Sequence, residues 1–123
     1  WYTLEMEENA LEEIYYRKQD DCQKLTAWNA EYLQTHRHVQ PKEILYTNRE
    51  GGIQKGWILY PADYVEGNRY PGLLSIHGGP RCAYGNVFNH EMQMFASMGY
   101  MVFYTNPRGS DSFGEEYADL RGK

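Results

Sequence analysis

Over the first 29 residues apolar positions are scattered among charges, and only Ile14-Tyr15-Tyr16 forms a run that suits a strand. Asp20-Asp21 is turn chemistry, so residues 23–26 are predicted to return as the second strand of a hairpin. One hairpin alone is marginal in water, so this stretch needs a neighbour. Residues 30–40 are polar, with room for one or two helical turns before Pro41, and read as a linker.

From Pro41 the pattern sharpens. Residues 43–48 and 53–60 read as two antiparallel strands around the hairpin turn Arg49-Glu50-Gly51-Gly52, and Pro61 closes the second. A polar loop over 62–68 follows. The run Gly72-Leu73-Leu74-Ser75-Ile76 is nearly continuous in apolar residues, the signature of a parallel strand covered on both faces. Phe88, Met92, Phe95 and Met98 recur at helical spacing, and Gly99 stops the helix. Residues 100–105 form another buried strand, ended by Asn106-Pro107-Arg108-Gly109, and 115–120 can open a second helix. A strand, a helix and a strand in this order predict a parallel crossover and an α/β fold.

Composition narrows the function classes. Of 123 residues, 41% are hydrophobic and 24% charged, which excludes long disorder and collagen. The formal charge of −5 argues against a nucleic-acid binder. No apolar run reaches the roughly 18 residues of a membrane span, and the sequence shows no signal peptide. Cys22 and Cys82 make neither a disulfide framework nor a metal-ligand pair, and read as reduced thiols in a cytoplasmic protein. The chain opens on Trp1 rather than Met and ends on 120–123 without tail-like composition, which suggests a segment of a longer protein.

In open α/β sheets ligands bind beyond the carboxyl ends of the parallel strands. Two loops fall there: His77-Gly78-Gly79-Pro80 and Asn106-Pro107-Arg108-Gly109-Ser110. Paired glycines after a buried strand bring bare backbone to a ligand and can aim an N–H at a developing oxyanion; they equally suit a plain tight turn. His77 can be a base, an oxyanion-side residue or a histidine satisfied by the turn. Arg108 can hold a carboxylate in bidentate fashion or bond local carbonyls. Arg81 and Asn106 are further candidates for the site rim. His36 and His38 are expected in solvent, Cys82 has no neighbour to lower its pKa, and Glu7-Glu8 with Glu12-Glu13 reads as a solvated surface.

The segments Lys55-Gly56-Trp57-Ile58-Leu59-Tyr60-Pro61, Tyr70-Pro71, Ile76-His77-Gly78-Gly79-Pro80 and Asn106-Pro107-Arg108-Gly109-Ser110 together resemble the prolyl oligopeptidase family of serine peptidases, in its acylaminoacyl-peptidase-like branch. The resemblance covers about 25–123. It implies the end of a β-propeller over 1–29, a linker over 30–41, and the first half of an α/β-hydrolase domain over 42–123. It also implies that His77-Gly78-Gly79 is the oxyanion loop, with the N–H of Gly79 as one donor and the His77 side chain shaping the loop. Peptides are then the substrate, with no cofactor, metal, nucleic acid or membrane. The family's nucleophile sits in a G-x-S-x-G elbow. Ser75, Ser97, Ser110 and Ser112 all lack that context, so the triad is expected outside this sequence, and the isolated chain is expected to be inactive and to self-associate through an open strand at 72–76. A carboxylesterase or lipase of the same fold, and a non-catalytic assembly module, are the competing readings.

Overall fold

A computed structural model describes residues 1–6, 10–49, 51–79 and 81–121. Glu7, Glu8, Glu50 and Pro80 of the motifs above lie outside them.

The N-terminal segment makes a three-stranded antiparallel sheet in the order β1-β2-β3, from β1 (Tyr2–Glu5), β2 (Glu13–Lys18) and β3 (Asp21–Lys24). The predicted hairpin is there, but its turn is Gln19-Asp20 and its returning strand starts at Asp21. Gln19 takes the left-handed conformation, at φ 54°, that such a tight turn demands. Arg17 on β2 pairs with Glu5 on β1 and exchanges main-chain bonds with Trp1.

The short helix α1 (Ala30–Thr35) leads to a mixed four-stranded sheet in the order β4-β5-β7-β6. Its strands are β4 (Lys42–Thr47), β5 (Ile53–Leu59), β6 (Gly72–Ser75) and β7 (Met101–Thr105). Only β6 and β7 run parallel, joined across α2 (His90–Ser97). A last turn, α3 (Glu115–Ala118), closes the described chain. The α/β class follows from this order.

The core forms on one sheet face. Trp57, Leu59, Val102 and Tyr104 pack with Met92 and Ala96 of α2, and Val39, Leu73, Tyr84 and Phe95 surround them. Trp57 stacks on Tyr104 with ring centroids 5.4 Å apart. The helix differs from its predicted stripe. Phe88 lies before the Asn89 cap, whose side chain accepts from the Met92 N–H, and Met98 is 63% exposed. The buried positions are Met92, Gln93 and Ala96, a narrower face set by the one sheet it covers. Likewise β6 is not covered on both faces. Leu73 faces the core, while Leu74 and Ile76 are 57% and 70% exposed on an edge strand.

Candidate active site

β6 and β7 end side by side, so the segments that follow them, 76–85 and 106–112, leave the sheet together. They enclose a crevice of roughly 890 Å³, lined by His77, Gly78, Gly79, Arg81, Pro107 to Ser110, Glu115 and Ala118 to Arg121. This is the place where an α/β sheet holds its ligand.

The two segments are joined by main-chain bonds. The N–H of Arg81 donates to Gly109 O at 3.1 Å, and that of Asp111 donates to Cys82 O at 3.2 Å. Glycine is required at 109 for its own conformation and for Leu120: it sits at φ +96°, and a Cβ there would lie 2.8 Å from Leu120 Cδ1.

Gly78 and Gly79 are exposed at the crevice. His77 Nε2 shares a hydrogen bond with the Ser110 hydroxyl at 2.8 Å, and its ring meets Tyr84 edge-on at 5.1 Å. Ser110 is fully buried, and its hydroxyl donates to Pro107 O at 2.5 Å.

Arg81 lines the crevice with its guanidinium engaged by Glu115 and, at 3.6 Å, by Asp111. Glu115 first, then Asp111, raise its pKa further and hold it charged. Arg108 lines both the crevice and an adjoining hollow with Asn48, Phe113 and Tyr117.

Asn106 departs from its sequence assignment. It is 2% exposed and lies beneath the crevice, not on its rim. Its side-chain amide binds the main chain of Tyr84 on both sides, accepting from N at 2.6 Å and donating to O at 2.9 Å. Its carbonyl accepts from the Tyr117 hydroxyl at 2.7 Å, which in turn accepts from Gln54 Nε2 at 2.9 Å. Burial raises the Tyr117 pKa, so the ring stays neutral in this relay.

Cys22, away from the crevice, and Cys82, in the segment that borders it, are free and exposed. His36 stacks on Tyr32 at 4.3 Å, and His38 meets Phe88 edge-on. Glu13 corrects the reading of an acidic surface: it is 3% exposed and accepts from the Thr26 hydroxyl, from the N–H groups of Trp28 and Asn29, and from the Asn29 amide. The sequence offered no periodic signal for Glu115, Asp111 or Tyr117 as partners, because each meets a group far away along the chain. Among the described residues no group of three or more His, Cys, Asp and Glu could hold a metal.

Residues 86–123 match the model of the prolyl oligopeptidase family. The chain belongs to that family. It is 40% identical over 100 residues to the uncharacterized peptidase YuxL of Bacillus subtilis (strain 168), covering 80% of this chain and 15% of that protein. Over 79 residues it is 40% identical to a probable dipeptidyl-peptidase 5 of Aspergillus niger, across 63% of this chain and 11% of that one. The chain therefore spans about a seventh or less of these relatives' length. Among solved structures, Pyrococcus horikoshii acylaminoacyl peptidase superposes with a TM-score of 0.83 at 30% identity, over 95% of this chain and 19% of that one. An acylaminoacyl peptidase in complex with Z-Gly-Gly-Phe-chloromethyl ketone gives 0.85 at 30% identity, again over 95% of this chain and 19% of that one. The expected fold, a short β segment ahead of the first half of a hydrolase sheet, agrees with these neighbours.

Proposed function

We propose that this chain supplies the oxyanion side of a serine peptidase that cleaves peptide bonds through an acyl-enzyme. In this reading 1–29 close a β-propeller, 30–41 link the domains, and 42–123 begin the hydrolase domain. The nucleophile, acid and histidine come from elsewhere in the full-length protein.

The observation that best supports the reading is Gly78-Gly79. Neither glycine has a left-handed φ, a Cβ at 78 would meet nothing within 4 Å, and at 79 the nearest atom is Arg81 N at 3.5 Å. Neither turn geometry nor packing among the described residues requires glycine there. Bare backbone at the crevice instead leaves room for a substrate carbonyl to reach the Gly79 N–H, where it would be held as charge develops. A solved neighbour bound to Z-Gly-Gly-Phe-chloromethyl ketone supports a peptide-like occupant.

His77 and Ser110 do not make a second nucleophile and base. The Ser110 hydroxyl is buried and already spent on Pro107 O, and His77 Nδ1 lies 2.9 Å from the Gly78 carbonyl, not against a carboxylate that would orient it. Ser75 is likewise engaged, with Tyr84, and Ser97 with Met94 O. Two exposed free thiols fit a reducing cytoplasm. Among the described residues no helix is long and apolar enough to cross a membrane.

The test is a fluorophosphonate probe on the full-length protein, followed by Gly79→Pro. Labelling is expected on a serine outside 1–123. The variant, which lacks the donor N–H, is expected to lose roughly 100-fold in kcat while staying folded. A labelled serine within this chain, or a folded variant with wild-type kcat, would overturn the reading.

A further inference from the structure

We propose that residues 106–110 are a two-ended clamp on the loop 77–84, with Asn106 and Ser110 as positioning residues for the oxyanion donor. The second half of this proposal rests on the reading of Gly79 above.

Each end of the 106–110 segment grips one end of the loop. Asn106 holds the Tyr84 main chain through both its N–H and its C=O, as a neighbouring strand would. Ser110 holds the His77 ring at 2.8 Å. Between these ends, Gly109 O accepts from Arg81 N. Both gripping side chains are buried, at 2% and 0% exposure, which partly shields their bonds from water. The glycines 78 and 79 lie between the anchors at 77 and 81.

The clamp is itself fixed to the sheet. Asn106 directly follows β7, and its carbonyl is tied through Tyr117 to Gln54 of β5. On the other side the Tyr84 hydroxyl meets Ser75 Oγ of β6 at 3.0 Å. The loop is therefore referenced to three strands. A catalytic hydrogen-bond donor needs such support, because it must sit within about 0.5 Å of its working position. The residue type follows from the geometry. Asparagine presents one donor and one acceptor to one residue's main chain, and aspartate would set a carboxylate oxygen against Tyr84 O.

The test uses the full-length protein and the variants Asn106→Ala, Asn106→Asp and Ser110→Ala, read by amide exchange and by kinetics. Asn106→Ala is expected to speed exchange at the Tyr84 amide at least tenfold, as loss of two buried bonds requires; Asn106→Asp keeps an acceptor for the Tyr84 N–H and is expected to speed it less, through repulsion of Tyr84 O. All three are expected to lower kcat at least tenfold with KM within about twofold. Glu13→Gln, which loosens the distant N-terminal sheet, is expected to leave kcat unchanged. Unchanged Tyr84 exchange in Asn106→Ala would overturn the clamp. Wild-type kcat despite faster exchange, or an equal kcat loss in Glu13→Gln, would overturn its positioning role. If the Asn106 variants do not fold, Ser110→Ala decides: it removes only a hydroxyl, and wild-type kcat there would refute the proposal. Faster Tyr84 exchange in a protein that cleaves no acyl substrate would sink the peptidase reading and leave the clamp standing.

Discussion

Gln93 is the place where the connection between the two sheets can be weighed. It sits on the buried face of α2 at 9% exposure, 54 positions from its partner. Its Oε1 accepts from the Val39 N–H at 2.9 Å, and its Nε2 donates to Val39 O at 2.8 Å. Val39 belongs to the irregular stretch between α1 and β4, so the amide stands in for a missing strand. Gln93→Ala removes both bonds. At about 1 kcal/mol net each, the pair holds this stretch by about 2 kcal/mol, roughly 30-fold in its local opening constant. Gln93→Glu is the sharper probe. It keeps the shape and one acceptor, but turns a carboxylate oxygen toward the Val39 carbonyl. At neutral pH it is expected to open the stretch at least as much as alanine does, although it fills the same space. Amide exchange at Val39 reads this directly in the intact protein, without requiring global two-state unfolding. If Gln93→Glu exchanges like wild type, the second bond contributes nothing. If Gln93→Ala also does, the clasp is not what orders residues 36–41.

Three other outcomes are expected. The Thr26 hydroxyl, with the N–H groups of Asn29 and Trp28, holds the Glu13 carboxyl down to about 2 from 4.5. Its contribution is therefore complete above about pH 4.5 and lost as pH falls toward 2, and exchange at Trp28 and Asn29 across that window is expected to show the loss, with a flat profile in Glu13→Gln. Gly109→Ala forces a side chain to φ +96° and against Leu120, and is expected to cost about 1–3 kcal/mol in thermal or denaturant unfolding; an unchanged midpoint would show that the loop relaxes. The isolated 123-residue chain is expected to associate at micromolar concentration through the open edge of β6, and Leu74→Lys to reduce that association in light scattering; a monomer with protected amides from Leu73 to Ser75 would show that the edge is covered.

What the sequence disclosed followed its periodicity. The glycine turn at 49–52 between two apolar-rich stretches, the apolar runs at 72–76 and 100–105, and the glycine after α2 are local signals, and each element lies within two residues of its expected place. β1 escaped notice because its Thr-Leu-Glu alternation is short, and Leu4 remains 61% exposed. The stripe overreached at Met98, which is exposed, and Phe88 is buried but precedes the helix, because hydrophobicity alone does not mark where a helix starts or which face meets a sheet. In the site, His77, Gly78, Gly79, Arg81 and Arg108 do line one crevice, and order along parallel strands was enough to bring them together. Asn106 and Glu13 were misread for a shared reason. A polar side chain at the end of a strand looks surface-facing in sequence, and only the three-dimensional path shows that main-chain groups are waiting for it.

That shared error exposes a construction rule of this chain. At three separate junctions one buried polar side chain satisfies main-chain groups that no strand or helix reaches: Glu13 at Trp28 and Asn29, Gln93 at Val39, and Asn106 at Tyr84. The three differ in what they can tolerate. Glu13 faces only donors, so a carboxylate suits it and an amide would bring an N–H against an N–H. Gln93 and Asn106 each face one donor and one acceptor, so an amide suits them and a carboxylate would not. Charge thus follows the polarity of the backbone being held. The two amides also differ in reach: Gln93 spans from a helix to a passing segment, whereas Asn106, shorter by one methylene, begins at a strand end already in contact with its target. The shorter side chain has fewer rotamers to lose. On this argument Asn106 is the side chain that loses the least conformational entropy in making its junction, and it is the one that lies under the crevice.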